Sequence, residues 1–205
     1  MKIDLHVHTQ ERSSCAHSTE DEQIQAAISA GLDAIVITDH ARLVPPERID
    51  SLNRRYAPFR VFGGIEIDTG GKPQGEHILV FGIHDQILER EDWAYADLHA
   101  FIRSRQGFMA LAHPFRYRAH IDLPLEQYPV DAIEVFSHNT PPAAEAEIRF
   151  IASRLGLTLV SNSDAHTAEK LGKHYNILPQ EVEDENNLVS LLKAGPFRLK
   201  PDPLV

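Results

Sequence analysis

Apolar and polar residues alternate strictly at the start of the chain, where Ile3, Leu5 and Val7 interleave with Asp4, His6 and His8. Successive side chains of a strand point to opposite faces. This stretch therefore predicts a strand with one aliphatic face and one face carrying a carboxylate and two imidazoles. The period then changes. Thr19-Glu-Asp-Glu22 has the spacing of a capping box, in which the N-cap hydroxyl and the later carboxylate each satisfy an orphan amide. Ile24, Ala27 and Ile28 share a helical face behind it, and Gly31 supplies a stop. Ala34-Ile-Val-Ile-Thr38 follows as a β-branched run ending in Asp39-His40. A strand, a helix and a strand in succession imply a βαβ unit and a parallel sheet.

The pattern continues along the chain. A short helix is predicted from Pro46 to about Arg55, a strand over 60–65 leading into Glu66-Ile-Asp68, and a turn over 69–75. Glu76-His77 precedes a strand over 78–81, and a helix over about 90–105 carries Leu98, Phe101 and Ile102 on one side. The strand over 108–112 ends in His113-Pro114, and 115–129 is irregular, with Pro124 and Pro129 bounding at most one helical turn. A strand over 131–136 ends in Ser-His138-Asn, and Pro141-Pro142 opens a helix stopped by Gly156. The last core strand, 157–160, ends in Ser-Asn-Ser-Asp164-Ala-His166. The tail adds a short strand near Ile177 and a helix with Leu188, Leu191 and Leu192 on one face. No linker, repeat or low-complexity run interrupts residues 1–205, which read as one α/β domain.

Seven runs read as core strands, and nearly all carry His, Asp or Glu at or beside one end. In a parallel α/β barrel the C-terminal ends of all strands meet at one mouth. His6 and His8, His40, Glu66, His113, and Asp164 with His166 would then converge. Imidazole nitrogens bind a divalent ion at about 2.0–2.1 Å, and mixed imidazole and carboxylate ligands suit zinc, manganese or iron. His77 stands before its strand, so either that strand runs in the opposite sense or the ligand comes from the loop.

Composition narrows the classes. A hydrophobic content of 42% supports a real core, and no run approaches the roughly 20 apolar residues of a membrane span. The first residues do not have the pattern of a signal peptide. The single cysteine, Cys15, excludes an internal disulfide and suits a reducing cytoplasm. A formal charge of −10 disfavours an extended nucleic-acid surface. It still allows a small anionic substrate, because bound divalent cations reverse the local sign.

Asp4-Leu-His-Val-His-Thr9, Ile37-Thr-Asp-His40, Gly64-Ile-Glu66, Ala112-His-Pro114 and Ser163-Asp-Ala-His166 resemble, in order, the motifs of the polymerase and histidinol phosphatase (PHP) family. The resemblance implies a distorted seven-stranded (β/α)7 TIM-like barrel that holds two to three divalent metals and hydrolyses phosphoesters. Carried over by position, His6, His8, Glu66 and Asp164 hold the first metal. Glu66 bridges to a second, completed by His77 and His113, while His40 and His166 serve a third. The family usually places an Asp or His shortly after His8, whereas this chain reads Gln10-Glu-Arg-Ser-Ser-Cys-Ala-His17. His17 is the better chemical ligand there. Cys15 is the alternative, matching a Ser-x-Cys-Ser pattern of some relatives.

The implied function is a metal-dependent phosphoesterase acting on a small phosphomonoester or a nucleotide or oligonucleotide end. Glu66 and Arg116 take the catalytic roles, Arg116 as the phosphate-binding cation ahead of Arg118, His138, Arg42 and Arg12. Asp39 is expected to orient the His40 imidazole or to cap a helix. Histidinol-phosphate phosphatase is the alternative, although the chain has little inserted sequence to form a lid. An amidohydrolase also opens with His-x-His, but it needs a bridging modified lysine at a strand end. No run here ends in Lys.

Overall fold

A computed structural model describes residues 1–70 and 75–201. Residues 71–74, inside the predicted turn, and 202–205 lie outside the described residues. Seven strands follow one another around a wall in chain order: β1 (Lys2–Val7), β2 (Ala34–Ile37), β3 (Arg60–Asp68), β4 (His77–Phe81), β5 (Phe108–Leu111), β6 (Ala132–Phe136) and β7 (Thr158–Ser161). Neighbours run parallel except at β4, which is antiparallel to both β3 and β5. Two short strands, β8 (Tyr175–Ile177) and β9 (Arg198–Lys200), extend the free edge of β1. The end of β1 meets the segment that follows β7, where the His8 amide donates to the Ala165 carbonyl at 2.9 Å. The result is a nearly closed barrel.

Five α-helices are described: α1 (Glu20–Ser29), α2 (Pro46–Tyr56), α3 (Tyr95–Ser104), α4 (Glu145–Leu155) and α5 (Glu185–Ala194). With nine strands and five α-helices among the described residues, the (β/α)7 expectation is corrected. A reversed β4 needs no crossover helix after β3, and the proline-bounded stretch between β5 and β6 forms no α-helix. The capping box of α1 is present, with Thr19 Oγ1 accepting from the Glu22 amide and the Thr19 amide donating to Glu22 Oε2. Helix α3 starts later than predicted. Residues Gln86–Glu89 form a separate 3-10 turn capped by Asp85, and Arg90 is extended, its guanidinium 4.6 Å from the buried Trp93 ring. No helix among the described residues is long and apolar enough to cross a membrane.

Alternation along the strands separates an outer face from an inner one. Ile65, Ile67, Ile78, Val80, Met109 and Leu111 pack outward with Leu98 and Ile102 of α3 and Ile148 of α4. Val36, Phe62, Leu79, Phe81, Phe108 and Ala110 share an inner cluster with Leu188 and Leu192 of α5, which plugs one end of the barrel. Inward chemistry is thereby confined to the opposite end.

Strand β1 departs from strict alternation. Asp4 is level with Ile35 and Val7 with Ile37, so two residues of β1 stand where β2 has one. This is a β-bulge, and the His6 amide donates to Asp4 Oδ1 across it at 3.2 Å. Val7 consequently joins the α1–α2 side with Ile24 and Leu52, not the inner cluster of Ile3 and Leu5. The expected single aliphatic face is thus split, and His6 and His8 both turn to the open end.

Gly64 lies one inward position below Glu66. A Cβ there would stand 2.8 Å from Phe81 Cδ1 and 3.0 Å from the Val80 carbonyl. Gly64→Ala is therefore expected to destabilise the fold by about 1–3 kcal/mol through overpacking. Urea unfolding of metal-stripped wild type and variant checks this, and equal midpoints would contradict the packing account.

Candidate metal centre

Each element end delivers its part of one cluster. β1 supplies His6 and His8, the residue after Ile37 and two more is His40, and β3 supplies Glu66, level with His40 through an isolated bridge. His113 follows β5 by two residues, and Asp164 and His166 follow β7. Because β4 runs backwards, its first residue, His77, pairs with Asp68 at the end of β3 and faces the same mouth. The opposite-sense reading of that strand is the one the sheet adopts.

The cluster is organised by the two oxygens of Glu66. Oε2 lies 3.3 Å from His6 Nε2 and 3.1 Å from His8 Nε2. Those nitrogens are 3.0 Å apart and stand 3.4 and 3.2 Å from Asp164 Oδ1. Four donors about 2.0–2.1 Å from one ion in tetrahedral array would be separated by roughly 3.3–3.4 Å, which the five observed separations approach. Glu66 Oε2 and Asp164 Oδ1 are buried without a hydrogen-bond partner, as cation-binding oxygens would be. The residues fit a divalent cation. On the other side, Glu66 Oε1 lies 2.8 Å from His77 Nδ1 and 3.0 Å from His113 Nε2. His40 Nδ1 stands 3.1 Å from Oε2, and His8, His40 and His166 form a further group able to share an ion.

Eight of the nine expected ligands are therefore brought together. His17 is not: it is exposed, belongs to none of the described groups, and meets the cluster only through its amide, which donates to the His166 carbonyl. Cys15 is exposed as well, and partial loss of solvent around its sulfur, together with the carboxylates of Glu66, Asp164 and Asp39, pushes its thiol up.

The supporting shell contains residues that sequence reasoning assigned differently or missed. Asp39 has no described hydrogen bond to the His40 ring and is the N-cap of no described helix. It accepts from the Thr9 amide and hydroxyl and from Ser13 Oγ, each at 2.7 Å, and from Arg12 Nε at 2.9 Å. Ser13 Oγ in turn accepts from the His40 amide and lies 3.3 Å from His8 Nδ1. Asp39 thus orders the loop after β1 and, through Ser13, the His8 ring. Arg12 is committed to Asp39 and the buried Glu20. Asp4 joins the first motif to the last, accepting from the Ser163 amide at 3.0 Å, and burial pushes its carboxyl up to about 7. Glu134 is fully buried in β6, and its signal in the sequence is a lone carboxylate inside the apolar run Ala-Ile-Glu-Val-Phe, where a buried acid must find donors.

Two residues of the cluster sit on unusual backbone. His113 has φ +27° and Asp164 has φ +51°, a region L residues seldom occupy and one that concentrates at functional sites.

At the rim, Arg116 Nη1 approaches Asp164 Oδ2 at 3.4 Å. The Arg116 guanidinium also lies 4.9 Å from the centre of the Tyr117 ring. That ring stands 6.2 Å from His77 and 6.4 Å from His113 and is partly exposed. Arg118 pairs with Asp122, Arg42 donates to the Ala41 carbonyl, and His138 Nδ1 is 2.7 Å from the Ser163 carbonyl. His84, His99, His120 and His174 lie outside the described metal-binding groups.

Burial would raise the Glu66 carboxyl, yet the imidazoles of His6, His77 and His40 outweigh it and hold the group well below the carboxylate range. Asp164 is held low in the same way by His6 and His8. Burial opposes charge on the imidazoles, but Asp164, Glu134 and Glu66 lift His6 well above its ordinary value, and His8 and His77 are raised too. At His40 burial wins, against Glu66, and pushes it down to about 4.

The chain matches the family model described as PHP domain over residues 4–157, and one described as PHP-associated over residues 143–196. The DNA polymerase/3'-5' exonuclease PolX of Bacillus subtilis (strain 168) is 26% identical over 204 residues, covering 83% of this chain. The match takes in only 35% of PolX, so the chain spans about a third of that relative's length. A two-domain Bacteroides vulgatus protein, described as containing a predicted PHP-like metal-dependent phosphoesterase, superposes with a TM-score of 0.69 at 18% identity. That superposition covers 94% of this chain and 62% of the other. An amidohydrolase from Chromobacterium violaceum, solved with bound sulfate and no metal, gives 0.68 at 17% identity, covering 94% and 97%.

Ligand nitrogens must be unprotonated to bind a cation. His6, His8 and His77 have raised pKa values, so cation uptake near neutral pH is expected to release protons and to weaken as pH falls. His40, at about 4, is already neutral and contributes no proton. Calorimetric zinc titrations in two buffers of different ionisation enthalpy measure the release, and heats independent of buffer would contradict it.

Proposed function

The chain belongs to the PHP domain family, and from that premise we propose that it is a metal-dependent phosphoesterase of small phosphomonoesters, nucleotides or oligonucleotide ends. The observation carrying this reading is the pair of partnerless buried oxygens, Glu66 Oε2 and Asp164 Oδ1, facing the two Nε2 atoms of His6 and His8. The proposed ligands are His6, His8, Glu66 and Asp164 for one cation and Glu66, His77 and His113 for a second. His40 and His166 would serve a third, to which neither His17 nor Cys15 is brought. Zinc, manganese or iron bound there would supply Lewis acidity and lower the pKa of water toward about 7.

The chain's own residues account for the rest. Leu188 and Leu192 of α5 close the inner cluster at the far end of the barrel, so the mouth is the proposed entry for substrate. Arg116, beside Asp164, would bind the non-bridging oxygens of a phosphoryl group and neutralise charge that builds there during transfer. Tyr117 offers a flat face next to His77 and His113, suited to a planar leaving group such as a nucleobase. The residue that would bridge two cations is a glutamate and not a lysine, which favours phosphoester over amide hydrolysis. The single thiol fits a reducing compartment, and a cytoplasmic location is proposed with it.

A panel of nucleoside monophosphates, short oligonucleotides, histidinol phosphate and simple alkyl and aryl phosphates, assayed with manganese and with zinc, tests the proposal. We expect turnover of at least one class, lost by more than about 100-fold in His113→Ala. Arg116→Ala should lose about 10²-fold in kcat/KM while keeping its metal content. No turnover of any phosphoester by protein carrying its full complement of metal would overturn the reading and bring amide substrates forward.

A further inference from the structure

One buried carboxylate is used neither by the proposed cation positions nor by the substrate. Glu134 Oε1 lies 2.9 Å from His6 Nδ1 and accepts a hydrogen bond from Asn162 Nδ2 at 2.7 Å. Its other oxygen, Oε2, accepts the His113 backbone amide at 2.7 Å. Both oxygens are therefore committed to nitrogen donors, so Glu134 is not itself a ligand. It nevertheless grips one residue from each side of the Glu66 carboxylate.

Those contacts have two consequences. A carboxylate oxygen accepts from an N–H, so once His6 gives up a proton to a cation the remaining one is best kept on Nδ1, leaving Nε2 bare toward His8, Glu66 and Asp164. The Oε2 contact holds the amide of His113, whose backbone has φ +27°, and so aims the His113 ring at Glu66 Oε1. A β-bulge follows Glu134 in β6, as the register with β7 shifts between Glu134 and Phe136. Bulges commonly re-aim side chains next to a site.

We propose that Glu134 is a positioning residue shared by the two cation positions, setting the His6 tautomer for one and the His113 backbone for the other. Its loss then weakens both positions together, although it touches neither cation. A carboxylate holding a ligating imidazole is worth about 10–100-fold in metal affinity.

Glu134→Gln keeps the size but replaces one acceptor by an amide donor. Turned one way, its NH2 confronts His6 and Asn162; turned the other, it confronts the His113 amide. Zinc titration of metal-stripped protein by calorimetry, with elemental analysis after dialysis, should show both binding steps weakened at least about ten-fold. His77→Ala, by contrast, should weaken one step. Unfolding in the presence of chelator separates a structural role: a lowered midpoint with wild-type zinc affinity would overturn the proposal, as would weakening of one step alone. Long-range 1H–15N NMR of zinc-loaded wild type needs no variant to fold. It should show the His6 proton on Nδ1, and zinc bound through Nδ1 would overturn the assignment. None of these readouts uses a phosphoester, so they stand or fall apart from the proposed reaction.

Discussion

A carboxylate with no access to water governs the functional end of this barrel. Glu66 is 1% exposed, and an ionised side chain so placed is costly unless positive charge or donors surround it. Its two oxygens face different groups of imidazoles, His6, His8 and His40 at one and His77 and His113 at the other. Breaking either side would leave a buried oxygen facing nothing. The requirement to surround Glu66 on both sides therefore ties together residues from five places in the chain, and the fold supplies the means of bringing them there.

Three local departures from regular structure meet that requirement. The bulge in β1 sends Val7 to the helix layer and leaves His6 and His8 at the open end. Reversal of β4 brings the start of a strand, and with it His77, level with the ends of its neighbours. Gly64 leaves room for Phe81 beneath Glu66, so that the apolar inner cluster reaches up to the floor of the polar one. Backbone strain at His113 and Asp164 is tolerated because their surroundings over-determine them: Glu134 holds the first, and Arg116 and Asn139 contact the second.

Much of this was legible in the chain. Strand ends carrying His, Asp or Glu marked the mouth, because the period of each run shows where a strand stops. The capping box of α1 was readable for the same reason: its partners are three residues apart. What stayed hidden depends on contacts across long separations. The Asp39 carboxylate beside His40 looks like that ring's partner, yet its donors are Thr9, Arg12 and Ser13, 30, 27 and 26 residues earlier. Glu134 meets His6 across 128 positions. Alternation alone cannot reveal a one-residue bulge, and His17 and Cys15 sit in a loop whose path no period encodes. The (β/α)7 expectation failed where a hairpin replaced a crossover, and β9 was too short and mixed in character to stand out.

Anomalous diffraction from crystals grown with manganese or zinc, recorded at the metal edge, tests the central claim most directly. One peak is expected enclosed by His6, His8, Glu66 and Asp164 and another between Glu66, His77 and His113, with the Glu66 carboxylate joining them. Metal bound only elsewhere on the protein, or a Glu66 carboxylate that touches no ion at full occupancy, would contradict it.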